Sequence, residues 1–275
     1  MTNEPGFPTI DRHLPEMMAF ARGLANDFRS GHLQSWQALT QRVDDFFSPA
    51  MLDTVEAVAP GWREMAAYAQ GVTQVHVMCA FTGLLLCHEF EHASRAQQEL
   101  IKWIVLFHDI AKQVSDGKSD RIHGFRSAAK AGAALRGIGF AVTADYDSYG
   151  DAWCALVHAA IVRRGETAGP IQDNRKLPEI IDGIGRLFGR DTAASLIVRT
   201  VLFHMSINII EEYPAAAPLT DSESGRYLDR ELLALLKLMS LADSDGWELF
   251  RPPTRERYRR QTLAVFDKLA SNCPT

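Results

Sequence analysis

Apolar residues recur at intervals of three and four along most of the chain, and no strand-length run alternates apolar with polar. From Leu14 to about Phe47 the spacing (Phe20, Leu24, Phe28, then Trp36, Leu39, Val43, Phe46, Phe47) predicts helix, and Ser48-Pro49 punctuates it. Ala50 to Val58 reads as a short helix closed by Pro60-Gly61, and Trp62 to about His92 as one long or two short helices. Ser94 with Gln97 three residues on is a capping-box pattern that starts another helix, which runs into Leu106-Phe107-His108-Asp109-Ile110-Ala111-Lys112. Within it Ile101, Ile104, Val105 and His108 share a face, so His108 points inward with the apolar stripe.

Beyond an Asp116-Gly117-Lys118 turn, Ile122 to Ser127 leads into an Ala-rich helix, Ala128 to Leu135, ended by Gly137 and Gly139. A helix over Asp151 to Arg164 carries His158 on the face of Cys154 and Ala155. Arg164 to Lys176 is polar and Gly/Pro-bearing, the pattern of a surface loop or lid. Helices are expected at Pro178 to Phe188, at Asp191 to Glu212 with Ile197, Thr200, Val201, His204 and Asn208 on one side, and at Leu228 to about Asp243. Pro214 to Pro218 is a loop. The expectation is an all-α fold without internal repeats.

Composition changes that picture little. At 275 residues, 47% hydrophobic and 23% charged, the chain has the make-up of a soluble globular protein. Its net charge of -5 argues against life on a nucleic-acid backbone and mildly favours a small substrate. Cys79, Cys87, Cys154 and Cys273 show no C-x-x-C spacing and read as free thiols in a reducing compartment. No apolar run approaches the ~18 residues of a membrane span. The first residues lack a basic region followed by an apolar block, so the cytoplasm is the expected location.

The chemistry lies in residues competent to bind metal at helix ends or on apolar stripes: His76, His108, Asp109, His123, His158, His204 and Asp243. A lone histidine on an apolar face is usually a satisfied core residue. Seven such groups pointing inward need partners, and a shared metal centre would supply them.

His76, then His108-Asp109 followed by Ile110-Ala111-Lys112, then His123-Gly124, then Ala242-Asp243, resembles the HD superfamily of metal-dependent phosphohydrolases. Val198 to Met205 and Leu232 to Gly246 resemble the HD domains attached to some bacterial CCA-adding tRNA nucleotidyltransferases, although no nucleotidyltransferase half is present. The resemblance implies an HD-type helical bundle over residues 63–275, carrying an inserted segment around 164–190. Residues 1–62 would be an N-terminal extension acting as cap, lid or dimer interface, which leaves homo-oligomerisation open. It further implies that His76, His108, Asp109 and Asp243 hold a first divalent ion. A second would be held by His123 with either His158 or His204, Asp109 bridging. The implied activity is hydrolysis of a phosphomonoester or phosphodiester in a nucleotide or other small phosphorylated molecule, by metal-activated water. Mn, Mg, Ni, Co, Fe and Zn are not distinguishable. Lys112, one turn past the pair, either reaches a phosphate oxygen or stays solvated, and Arg126 is a second phosphate candidate through its bidentate fork. Arg199, Asp116 and Asp120 are weaker candidates.

Three rivals stand beside this reading. His88-Glu89-Phe90-Glu91-His92 satisfies H-E-x-x-H, the zinc-peptidase helix pattern, and also H-x-x-E-H. Some HD proteins instead bind two irons and oxidise a small substrate, and some serve as non-catalytic signalling modules. Lys112 favours hydrolysis over the oxygenase, because a phosphate-handling cation is less useful to the latter.

Overall fold

The computed structural model of the chain describes residues 5–67, 71–113, 120–163 and 170–271. The predicted turn at 116–118, the candidate Asp116, Cys273 and the first part of the proposed lid lie outside them. Among the described residues there are fifteen α-helices. The N-terminal stretch forms α1 (Ile10–His13), α2 (Pro15–Arg29), α3 (Trp36–Phe46), α4 (Pro49–Val58) and α5 (Trp62–Ala67). Their apolar faces join one continuous core with the rest of the chain, from Ile10 and Met17 to Phe203 and Leu236. Lys102, almost wholly buried, fastens α1 in place through Asp11 at 2.6 Å and Glu99 at 3.0 Å.

Next come α6 (Val72–Leu85), α7 (His88–His92) and α8 (Arg95–Phe107), where one or two helices were expected before Ser94. The capping box at Ser94 forms as predicted. The Ala-rich helix begins earlier than expected, as α9 (His123–Ile138), so His123 opens it. Gly139, at φ 100°, ends it, while Gly137 stays inside the helix. After α10 (Tyr146–Ala159) the chain makes a departure from all-helical structure: β1 (Ile161–Arg163) pairs antiparallel with β2 (Pro170–Gln172), Ile161 opposite Gln172. That part of the predicted lid is tied down. Buried Gln172 donates to Ser206 Oγ at 2.9 Å and to the Ala217 carbonyl at 2.7 Å.

The remaining helices are α11 (Leu177–Phe188), α12 (Ala193–Phe203), α13 (Asp221–Tyr227), α14 (Arg230–Trp247) and α15 (Pro252–Ser271). The expected helix to Glu212 stops at Phe203 because the backbone turns at His204 and is held by its own contacts, Ser206 N–H to the Phe203 carbonyl and Leu219 N–H to the Ser206 carbonyl, both 2.8 Å. Asn208 therefore lies off the helix.

Two close helix crossings position everything that follows. On α6 and α14, a Cβ on Gly83 would stand 2.9 Å from the Ala242 carbonyl oxygen, and one on Gly246 would stand 2.8 Å from Ala80 N. The backbones touch where only glycine fits, which brings His76 on α6 beside Asp243 on α14. At the start of α9 a Cβ on Gly124 would lie 3.2 Å from the Val201 and Leu202 carbonyls, which sets His123 against the end of α12.

Candidate metal centre

Five helix segments converge, α14 bringing Asp243. His108 follows α8 and His204 follows α12, each as the residue that caps the helix, while His123 is the first residue of α9 and His76 lies within α6. All four imidazoles and Asp109 are buried. They sort into two groups, His76 with His108 and Asp243, and Asp109 with His123 and His204, each with its ligand atoms within 4.8 Å of one another.

The tautomers are set by the backbone. His108 Nδ1 faces the Val105 carbonyl at 2.8 Å, His204 Nδ1 the Val201 carbonyl at 2.6 Å and His123 Nδ1 the Asp120 carbonyl. A carbonyl only accepts, so each Nδ1 carries the proton and each Nε2 turns a bare lone pair inward. The His123 and His204 lone pairs face each other, Nε2 to Nε2 at 3.0 Å, and that of His108 points at His76 Nε2, 3.4 Å away. Asp109 Oδ1 is 2.7 Å from His123 Nε2, and Asp243 Oδ1 is 2.8 Å from His76 Nε2. Both oxygens are buried, yet neither makes a hydrogen bond of acceptable geometry. Lone pairs of nitrogen and carboxylate oxygen packed this closely repel unless a cation lies among them. The donor set, neutral imidazole plus carboxylate, suits a divalent transition metal, and each group can hold one. Asp109 stands nearest both groups, with Oδ2 3.5 Å from His76 Nε2 and Oδ1 3.7 Å from His108 Nε2.

Electrostatics match this arrangement. Burial pushes the Asp109 carboxyl up, but Lys112, His108 and His123 outweigh it and hold it well below the usual carboxylate range. Burial likewise raises Asp243, and His76 and His108 more than reverse it. Burial, then His123 and His108, push the His204 imidazole down to about 3, and burial lowers His108 as well. Burial opposes charge on Lys112, but Asp109 and Asp243 keep its ammonium above the ordinary lysine range.

Lys112 Nζ bonds Asp109 Oδ2 at 2.6 Å and lies over the Trp247 ring, 5.6 Å from its centroid. Arg126 is turned toward the loop: Nε donates to the Ala111 carbonyl at 3.2 Å and the guanidinium pairs with Asp120. Asp120 also accepts from Gln113 N–H at 2.8 Å, so it clasps the chain after the pair. His158 is not brought to either group. It stands exposed at the end of α10 with Nδ1 on the Cys154 carbonyl at 2.7 Å, and His204 takes the place it competed for. Arg199 is committed elsewhere, to the Tyr227 carbonyl at 2.6 Å and Asp229 at 3.1 Å. The cleft it lines, of about 320 Å³, contains none of the six ligand candidates. The H-E-x-x-H helix is also apart: Glu89 pairs with Arg259 and His92 Nδ1 faces the His88 carbonyl at 2.9 Å.

One residue escaped the sequence reading. Trp247 stacks on the His76 ring at 4.2 Å and 17°. His76 Nδ1 has no hydrogen-bond partner, so this stacking, rather than a carbonyl, fixes the ring. The available signal was helical spacing, since Trp247 follows Asp243 by four residues and shares its face.

No protein-family model, curated protein or solved structure matches the chain. No helix among the described residues is long and apolar enough to cross a membrane.

Proposed function

We propose that the protein is a metal-dependent phosphohydrolase of the HD type, acting on a nucleotide or another small phosphorylated molecule. The facing imidazole lone pairs beside buried Asp109 and partly exposed Asp243 carry this reading, together with the cation placed against Asp109. His76, His108 and Asp243 would hold one divalent ion, and Asp109, His123 and His204 a second. Such ions supply Lewis acidity toward phosphoryl oxygens and water near neutral pH. The chain's own part is to orient and to neutralise. Carbonyls behind His108, His123 and His204 lock their donor atoms inward, and Trp247 does so for His76. Lys112 balances Asp109 and offers an ammonium to a phosphate oxygen at the edge of the site.

Four imidazoles among six ligands also suit iron, which keeps a di-iron oxygenase as the second reading. Metal analysis of the purified protein, with phosphatase and phosphodiesterase panels under Mn, Mg, Ni, Co and Fe, tests the first. The expected result is hydrolysis lost together with bound metal in both His108→Ala and Asp109→Ala. A protein that binds no metal under any condition sinks it, and oxygen uptake by the iron-loaded form with a substrate favours the second.

A further inference from the structure

A cleft of about 130 Å³ opens beside the candidate centre, and its polar lining holds three cations, Lys112, Arg126 and Lys130, with His158, Gln113 and, at its rim, Glu64. These groups form a graded path outward. Asp109 is 1% exposed, the Lys112 side chain 16%, Arg126 17% and Lys130 32%, and His158 is at the surface. Arg126 and Lys130 are four residues apart on α9, hence on one face and about 6 Å apart along its axis. Arg126 uses Nε on Ala111 and one terminal nitrogen on Asp120, which leaves Nη1 without a partner among the described residues. His158 spends Nδ1 on the Cys154 carbonyl, so Nε2 is its only ring nitrogen left for a ligand.

Lys130 is held at the cleft from the N-terminal side. Its Nζ pairs with Glu64 on α5 at 2.6 Å, and it runs so close to Gly61 that a Cβ there would stand 2.5 Å from Nζ. Glu64 is 59% exposed, and a solvent-screened pair of this kind is weak, so an incoming anion can take the ammonium over.

The geometry points to a distal anion subsite made by Lys130 and His158 with Arg126. The substrate is then a small phosphate ester carrying a second anionic group, phosphate or carboxylate, on the outward side of the phosphate that meets Lys112. This rests on the phosphohydrolase reading for the placement of the first phosphate. His158 thereby serves the ligand's far end rather than a metal, and the N-terminal helices enter the site through Glu64 and Gly61.

Calorimetry on the Mn-loaded full chain with two probes of similar size, 3-phosphoglycerate and glycerol 3-phosphate, tests it. The expected result is tighter binding of the doubly anionic probe by tenfold or more, falling to under threefold in Lys130→Gln/His158→Gln. Glu64→Gln, which releases Lys130, is expected to increase the advantage by a few fold, a gain that a misfolded variant does not produce. Equal binding of the two probes, or an advantage that survives the double substitution, overturns the subsite and leaves the phosphohydrolase reading standing. Binding of neither probe likewise overturns the subsite, while absence of bound metal overturns both readings.

Discussion

Two histidine motifs lie about twenty residues apart, and the fold treats them oppositely. In His88-Glu89-Phe90-Glu91-His92 the two ring centroids lie 4.1 Å apart, tilted at 50°, on a five-residue helix with no buried residue, and the glutamate is taken by Arg259. His108-Asp109 ends a thirteen-residue helix whose last nine residues are buried, and four other segments deliver ligand candidates to it. The first satisfies a zinc-site spacing within one turn, yet it belongs to no group of three converging donors among the described residues. The second has no ligand spacing at all beyond adjacency. A donor cluster of this kind is a property of converging helices, and local spacing does not create one.

The largest effect expected is at Asp109, where Lys112, His108 and His123 all converge. Asp109→Ala should lower metal affinity and hydrolysis by more than the ~10–100-fold lost when an outer partner of a ligand is removed, read by metal content and turnover. Gly246→Ala should follow. Its Cβ would meet the α6 backbone, and overpacking of this kind costs about 1–3 kcal/mol, visible as a lowered Tm together with weakened metal binding. Trp247→Ala leaves all six ligand candidates in place but frees the His76 ring, so a ~10-fold weaker metal affinity is expected, with little change in Tm.

The pH response separates the two motifs as well. His204 is held neutral in the fold down to about 3, against an ordinary imidazole value of 6.5. A depressed histidine contributes stability that is fully present above 6.5 and is lost as pH falls from there toward 3. Thermal melts of the metal-free protein should therefore decline over that window, and His204→Gln should flatten the decline. The smallest effect belongs to the exposed motif. Glu89→Gln should leave hydrolysis unchanged and shift stability by about 1 kcal/mol, through its contacts with Arg259 and Cys87. Peptidase activity abolished by that substitution would reverse the roles of the two motifs.

Helical periodicity made most of the elements legible. It also turned His108, His204 and Asp243 inward, because a side chain that continues an apolar stripe must follow it into the core. The capping box at Ser94 was equally readable, being a contact between residues three apart. His158 fitted the same criteria and failed, since α10 presents it to solvent. The hairpin of β1 and β2 was missed because its three-residue strands are too short for any alternation to register.

By itself, then, the sequence determined the helical class, the pair His108-Asp109 and a pool of inward histidines, all consequences of patterns a few residues long. Which of them meet was decided only in three dimensions. The crossings at Gly83 with Gly246, and at Gly124 with the end of α12, bring side chains from residues 76 to 243 within ligand distance. Contact across such separations depends on how helices pack, and nothing in local spacing encodes it.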